Sequence, residues 1–221
     1  MTIKDLFYII VPDEYASLPI VVEDVPLLPD NKIDVSKLDG KYSMSFKALD
    51  DGEAQKYQAC RDKKKFRGSS ESIHVWNIEI KKYFRIVKNY DTAYHLIKDR
   101  LSVYSNGLPM EYLYISHMIL HEIGHYKQYL DKNRKVYTYL NQYKKEHKII
   151  CEQQNQCYLF FQIEMRSKII TPEKLVMYNH KMDELAKKYR EIPDEKNADQ
   201  FADKHMKSAV EKIKIFLEKE K

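Results

Sequence analysis

Glycine is scarce in this chain, five residues in 221, while lysine and arginine together number 38. Glycine disfavours helix and lysine tolerates it well, so the shortage leans the chain toward helical structure. Cysteine is nearly as sparse. Cys60, Cys151 and Cys157 form an odd set that cannot all pair, which excludes a disulfide framework and points to a reducing, cytoplasmic setting with each a packed or free thiol. No apolar run approaches the ~20 residues that a bilayer-spanning helix needs. The longest, Leu6 to Val11, has no basic flank before it and no small-residue cleavage site after it, so neither a membrane span nor a signal peptide is expected. Internal repeats and low-complexity segments are also missing.

What is present is a globular composition, 43% hydrophobic and 32% charged, in a chain long enough for a real core. The net charge of +5 is unevenly spread: residues 1–59 hold 6 basic against 11 acidic side chains, which leaves the remainder strongly basic. The densest patch, Arg61 to Arg67, reads as a solvated loop, because no nucleic-acid motif accompanies it. Neither nucleic acid nor a membrane is expected as a partner. Oligomeric state is not legible at this level.

Strand signals come first along the chain. Residues 3 to 11 read as a buried strand closed by Pro12-Asp13, and Pro19, Pro26 and Pro29 make the next stretch extended and irregular. Ile33 and Val35 before Asp39-Gly40, with Tyr42, Met44 and Phe46 after it, give a period-two hairpin. Asp50-Asp51-Gly52 marks a turn, and Ser72 to Ile80 alternates as a last strand. From there the period changes to threes and fours. Helices are expected from about Tyr83 to Tyr104 with a break at Asp91-Thr92, over Pro109 to Leu130, from Val136 to about Ile169, from Thr171-Pro172-Glu173 to Tyr189, and from Pro193 onward. The order is α+β, a mixed lobe over residues 1–105 followed by a helical lobe over 106–221, together one domain.

The helix over Pro109 to Leu130 carries His121-Glu122-Ile123-Gly124-His125. Residues at i and i+4 are neighbours on one helix face, so the two imidazoles can converge on one metal ion. A catalytic zinc takes three protein ligands and a water, so a further ligand is required. Glu122 is rotated about 100° from His121 around the helix, beside the metal without binding it, where a base for the attacking water is needed. Gly124 costs a helix about 1 kcal/mol relative to alanine, and the close approach of another backbone would account for it.

Among the carboxylates after His125, most lie on lysine-rich amphipathic faces. Glu195 differs, since it falls in the first turn after Pro193, with Asp199 one turn further on the same face. Asp199 is placed to accept the second ring N–H of a ligating histidine, and the small Ala198 and Ala202 would let this helix pack closely near Gly124. The pair also suits a helix N-terminus on electrostatic grounds alone, and both readings stay open. His117, one turn before His121, is open between a fourth ligand, a cleft-lining residue and a core histidine; His147, His180 and His205 read as structural.

HEIGH followed by EKNAD resembles the gluzincin type of zinc metallopeptidase, and Glu195 with Ala198-Asp199-Gln200-Phe201-Ala202 is similar to a segment of the ImmA/IrrE peptidases of bacteria, mobile elements and phages. The resemblance covers these two short segments; 69 residues separate His125 from Glu195, and no helix-turn-helix is evident. It implies a zincin-like fold, Zn2+ on His121, His125 and Glu195, Glu122 as catalytic base, and a strand beside the motif helix that aligns the substrate, for which Ser72 to Ile80 is the candidate. The expected function is zinc-dependent peptide-bond hydrolysis. The alternative is a zincin-fold regulatory or binding module of a phage or mobile element that acts on a repressor with weak or no proteolysis.

Overall fold

Thr2 and Asp5 decide the conformation of the first ten residues. The Asp5 N–H donates to Thr2 Oγ1 (3.2 Å) and the Thr2 N–H donates to Asp5 Oδ2 (2.8 Å), a reciprocal cap that starts a helix. In a computed structural model, which describes residues 1–23, 45–48, 71–90, 92–167 and 169–220, helix α1 spans Ile3–Ile10. This corrects the expected strand over residues 3 to 11. Ile3, Leu6, Phe7 and Ile10 stand at i, i+3, i+4 and i+7 and are all buried, while Lys4, Asp5 and Tyr8 face solvent.

A 3-10 turn at Asp13–Tyr15 leads into a three-stranded sheet of β1 (Ile20–Glu23), β2 (Ser45–Ala48) and β3 (Glu71–Trp76). The order is β1-β3-β2, with β1 parallel and β2 antiparallel to β3. Every residue of β3 is buried, so the strand expected to show one wet face is covered on both. Its end is also earlier than expected, because Ile80 opens the next helix. The hairpin at Asp39-Gly40 and the patch at Arg61 to Arg67 lie outside the described residues.

Helices follow as expected from the change of period. They are α2 (Ile80–Tyr90), α3 (Thr92–Ser102), the motif helix α4 (Met110–Asp131), α5 (Val136–Asn141), α6 (Lys144–Arg166), α7 (Pro172–Arg190) and α8 (Pro193–Lys219). The expected helix after Val136 is thus two helices. Thr171 caps α7 by accepting from the Lys174 N–H at 3.3 Å. The buried cluster runs from Ile3 to Ile213, and α4, α8, α1 and the sheet all contribute to it. The architecture is a mostly helical α+β protein with one small sheet near its N-terminus.

Packing between α4 and α8 sets the position of the two motif histidines relative to Glu195 and Asp199. A Cβ on Gly124 would lie 2.8 Å from Ala198 Cα and 3.1 Å from Ala198 O, so only glycine permits this approach. Ala198 and Ala202 are fully buried in the contact. Gln128 Nε2 donates to the Asp194 carbonyl at 2.8 Å, which ties the first turn of α8 to the motif helix.

Candidate metal centre

The close contact brings Glu195, at the start of α8, against His121 and His125 on α4, and all three are buried. His121 Nε2 and His125 Nε2 are 3.1 Å apart. Glu195 Oε2 lies 3.2 Å from His121 Nε2, and Glu195 Oε1 lies 3.7 Å from His125 Nε2. Bonds of about 2.0–2.1 Å in a tetrahedron put ligand atoms roughly 3.3 Å apart, so these three groups can hold a metal ion with little movement.

Asp199 sits behind His121. The Nδ1–H of His121 donates to Asp199 Oδ1 at 2.8 Å, which directs the Nε2 lone pair toward Glu195 and His125. Two arginines hold the aspartate in turn. Arg190 is bidentate, with Nη2 donating to Oδ1 (2.7 Å) and Nε to Oδ2 (3.2 Å), and Arg100 Nη2 is 3.5 Å from Oδ2. His125 has no counterpart to Asp199: its buried Nδ1 has no hydrogen-bond partner among the described residues.

The electrostatics match a site built for a cation. Burial opposes charge on His121, but its hydrogen bonds to Asp199 and Glu195 outweigh that and raise its pKa to about 10. Burial likewise opposes ionisation of Glu195 and Asp199. Hydrogen bonds from the histidines, with Arg190 beside Asp199, nonetheless hold both carboxyls well below the usual carboxylate range.

Glu122 points to the other side of the centre. Its carboxyl is raised by removal from water, an effect opposed by His125, His121 and the Phe46 backbone. The Phe46 N–H, on β2, donates to Glu122 Oε2 at 2.6 Å. Phe46 itself is clamped by ring contacts with Tyr126, Tyr129 and Tyr139 at centroid distances of 5.6 to 5.7 Å. Strand β2 therefore borders the site. Ser72 to Ile80 does not have the place expected of it, because β3 is the central strand with β1 and β2 on its two sides.

A cleft of about 400 Å3 opens over the centre, with His121, Glu122, His125 and Glu195 in its wall. It also exposes groups that spacing alone did not reveal. His147, expected to be structural, lines the cleft with its Nε2–H donating to Asp194 Oδ2 at 2.8 Å, and its pKa is raised chiefly by that bond. His147, Asp194 and Glu195 also bring ligand atoms within 4.8 Å of one another. Tyr139, Tyr143 and Tyr189 complete the wall; burial pushes the Tyr139 and Tyr189 hydroxyls up, and the nearby Glu195 carboxylate adds to the effect at Tyr189. His117 takes no part. It is buried, held below its ordinary value by desolvation, and accepts from Arg100 Nη2 at 3.1 Å.

No helix of the described residues is long and apolar enough to cross a membrane. No family model, no curated protein and no solved structure matches this chain.

Proposed function

We propose that the protein is a zinc-dependent metallopeptidase with a zincin-like arrangement of sheet and motif helix, acting on a protein or peptide substrate in the cytoplasm. The proximity of the three candidate ligand groups carries this reading: the two Nε2 atoms are 3.1 Å apart and the Glu195 carboxylate approaches His121 Nε2 through Oε2 at 3.2 Å and His125 Nε2 through Oε1 at 3.7 Å, against the roughly 3.3 Å edge of a tetrahedral zinc site. Two imidazoles and a carboxylate leave one position for water, the donor set of a catalytic rather than a closed structural site.

Bound zinc supplies a Lewis acid that lowers the pKa of a water toward neutrality and polarises a carbonyl. The other roles belong to the chain. Asp199, clamped by Arg190, keeps His121 in the tautomer whose Nε2 faces the centre. Glu122 takes a proton from the attacking water on Oε1, while the Phe46 N–H steadies Oε2, and passes it to the leaving amine. A carboxyl raised by burial is better matched to that exchange near neutral pH than an exposed one. His147, whose Nε2–H is held by Asp194 and whose raised pKa favours the doubly protonated ring, would offer its Nδ1–H, and the cleft tyrosines their O–H groups, to charge developing on the carbonyl oxygen. Ser45 and Phe46 in the cleft wall make β2 the strand along which an extended peptide would lie.

The test is incubation with an unstructured protein substrate and mass spectrometry of new termini. Wild type should cut, and Glu122→Gln should lose cleavage while it keeps about one zinc per chain. A fully active Glu122→Gln variant contradicts the mechanism. Zinc-loaded wild type that cuts no substrate, candidate repressors included, would turn the reading to a zincin-fold module that binds without proteolysis.

A further inference from the structure

A second cleft, of about 380 Å3, lies where α3, the last turn of α7 and the first turns of α8 meet, and Asp199 is part of its wall. It has no residue in common with the cleft over the metal centre. Four cations line it, Arg100 on α3, Lys187 and Arg190 on α7 and Lys196 on α8, against the two carboxylates Glu191 and Asp199. Basic residues in the last turn of a helix complement its dipole, which accounts for Lys187 and Arg190. It does not account for Arg100 and Lys196, which other helices bring to the same place.

Donors outnumber acceptors in this wall. A guanidinium has five N–H groups. Arg190 gives two of its five to Asp199 and keeps three; Arg100 places Nη2 against His117 and Asp199 and Nη1 against Asp203 Oδ2 at 3.1 Å, and keeps two. Lys187 makes no ion pair among the described residues. Lys196 is paired only with Glu191, at 2.7 Å, and both side chains are more than half exposed, a pair worth about 0–1 kcal/mol that an incoming anion can replace. Even with Asp203 counted, four cations meet three carboxylates, so a positive excess remains.

Spare N–H groups on two guanidiniums suit a ligand that carries several acceptor oxygens on one atom. A phosphate does so, whereas a carboxylate has only two oxygens and leaves most of these donors unpaired. Leu96 and Ile97 add an apolar stretch of wall, and the volume falls within the ~300–1,000 Å3 of small-molecule sites.

We propose that this cleft binds a small phosphomonoester, with its phosphate among Arg100, Arg190, Lys187 and Lys196 and its organic part against Leu96 and Ile97. The phosphate adds negative charge beside Asp199 and fixes the two arginines that hold it. Ligand binding therefore raises zinc affinity, and zinc raises ligand affinity by the same factor; this coupling rests on the metal-centre reading, and the site itself does not.

Calorimetric titration of the metal-free full chain with orthophosphate and with adenosine monophosphate, in about 0.15 M salt, tests the site alone. Both should bind saturably at one per chain, the ester more tightly. The double variant Lys187→Glu/Lys196→Glu should bind the ester at least about tenfold more weakly, with unchanged helical circular dichroism and zinc content. Absence of saturable binding, or a variant that binds like wild type, overturns the proposal. Equal affinity for the two probes overturns the ester, and a phosphoserine peptide that binds more tightly than adenosine monophosphate overturns the small-molecule assignment in favour of a phosphorylated protein. On zinc-loaded wild type the ester should bind about fivefold more tightly than on the metal-free chain, a gain the variant should lack. Unchanged affinity there overturns the coupling, whereas a chain that binds the ester but no zinc counts against the metal centre and not against this cleft.

Discussion

Gly124→Ala tests the packing that the metal centre depends on, because two known effects oppose each other there. Alanine in place of glycine within a helix is worth about 1 kcal/mol of stability. The added Cβ, however, would meet Ala198 Cα at 2.8 Å, Ala198 O at 3.1 Å and Ala198 Cβ at 3.2 Å. Comfortable carbon contacts lie at about 3.5–4.0 Å, so α8 must retreat from α4 by roughly 0.5–1 Å. Overpacking of this kind costs about 1–3 kcal/mol, with the upper end favoured when the obstacle is backbone. The net expectation is a loss of about 1–2 kcal/mol, which for a chain of this length lowers Tm by roughly 3–6 °C. Glu195 lies one turn before Ala198, so the same retreat lengthens the 3.2 Å His121–Glu195 edge, and zinc affinity should fall about tenfold, as when groups supporting a ligand are removed. Thermal denaturation of the metal-free variant and competition with a zinc chelator read the two effects separately. Ala198→Gly should not rescue the variant, since the nearest obstacles are the Cα and carbonyl oxygen that glycine retains. A Gly124→Ala protein about 1 kcal/mol more stable than wild type, with unchanged zinc affinity, would refute the reasoning.

Three further outcomes are expected. Asp199→Asn keeps an acceptor for His121 Nδ1–H but loses the charge that Arg190 clamps; chelator competition should show zinc bound about 10–100-fold more weakly. Thr2→Ala should cost about 1 kcal/mol in denaturant unfolding, the usual value of a helix cap, whereas a chain that begins with a strand would hardly respond. His147→Ala should leave zinc content unchanged and reduce turnover about 10²–10³-fold, the typical effect of removing one donor to a developing oxyanion; wild-type turnover would exclude that role.

The parts of the site legible in the sequence are those whose geometry is local. His121 and His125 face one way because a helix turns once in 3.6 residues, and Glu195 and Asp199 share a face for the same reason, with Pro193 marking where their helix begins. Gly124 signalled a close backbone approach, and Ala198 is the residue it meets. Groups assembled by tertiary packing gave no such sign. His147 reaches the cleft only through the tertiary placement of α5 and α6, which brings Tyr139 and His147 into its wall, so its distance along the chain from His125 carried no metal spacing. The strand beside the site was misplaced because strand order is a property of pairing: β3 pairs with both β1 and β2, which leaves β2 beside Glu122. In α1 the continuous run from Leu6 to Val11 masked a helical period that the Thr2 and Asp5 cap makes plain.

Metal content tests the central claim most directly. Protein purified without added chelator, equilibrated with zinc and dialysed, should carry about one zinc per chain by mass spectrometry of the element, and Glu195→Ala treated identically should carry nearly none while it keeps its helical circular dichroism. A wild type that holds no zinc, or a Glu195→Ala variant that retains a full equivalent, would contradict a centre built from His121, His125 and Glu195.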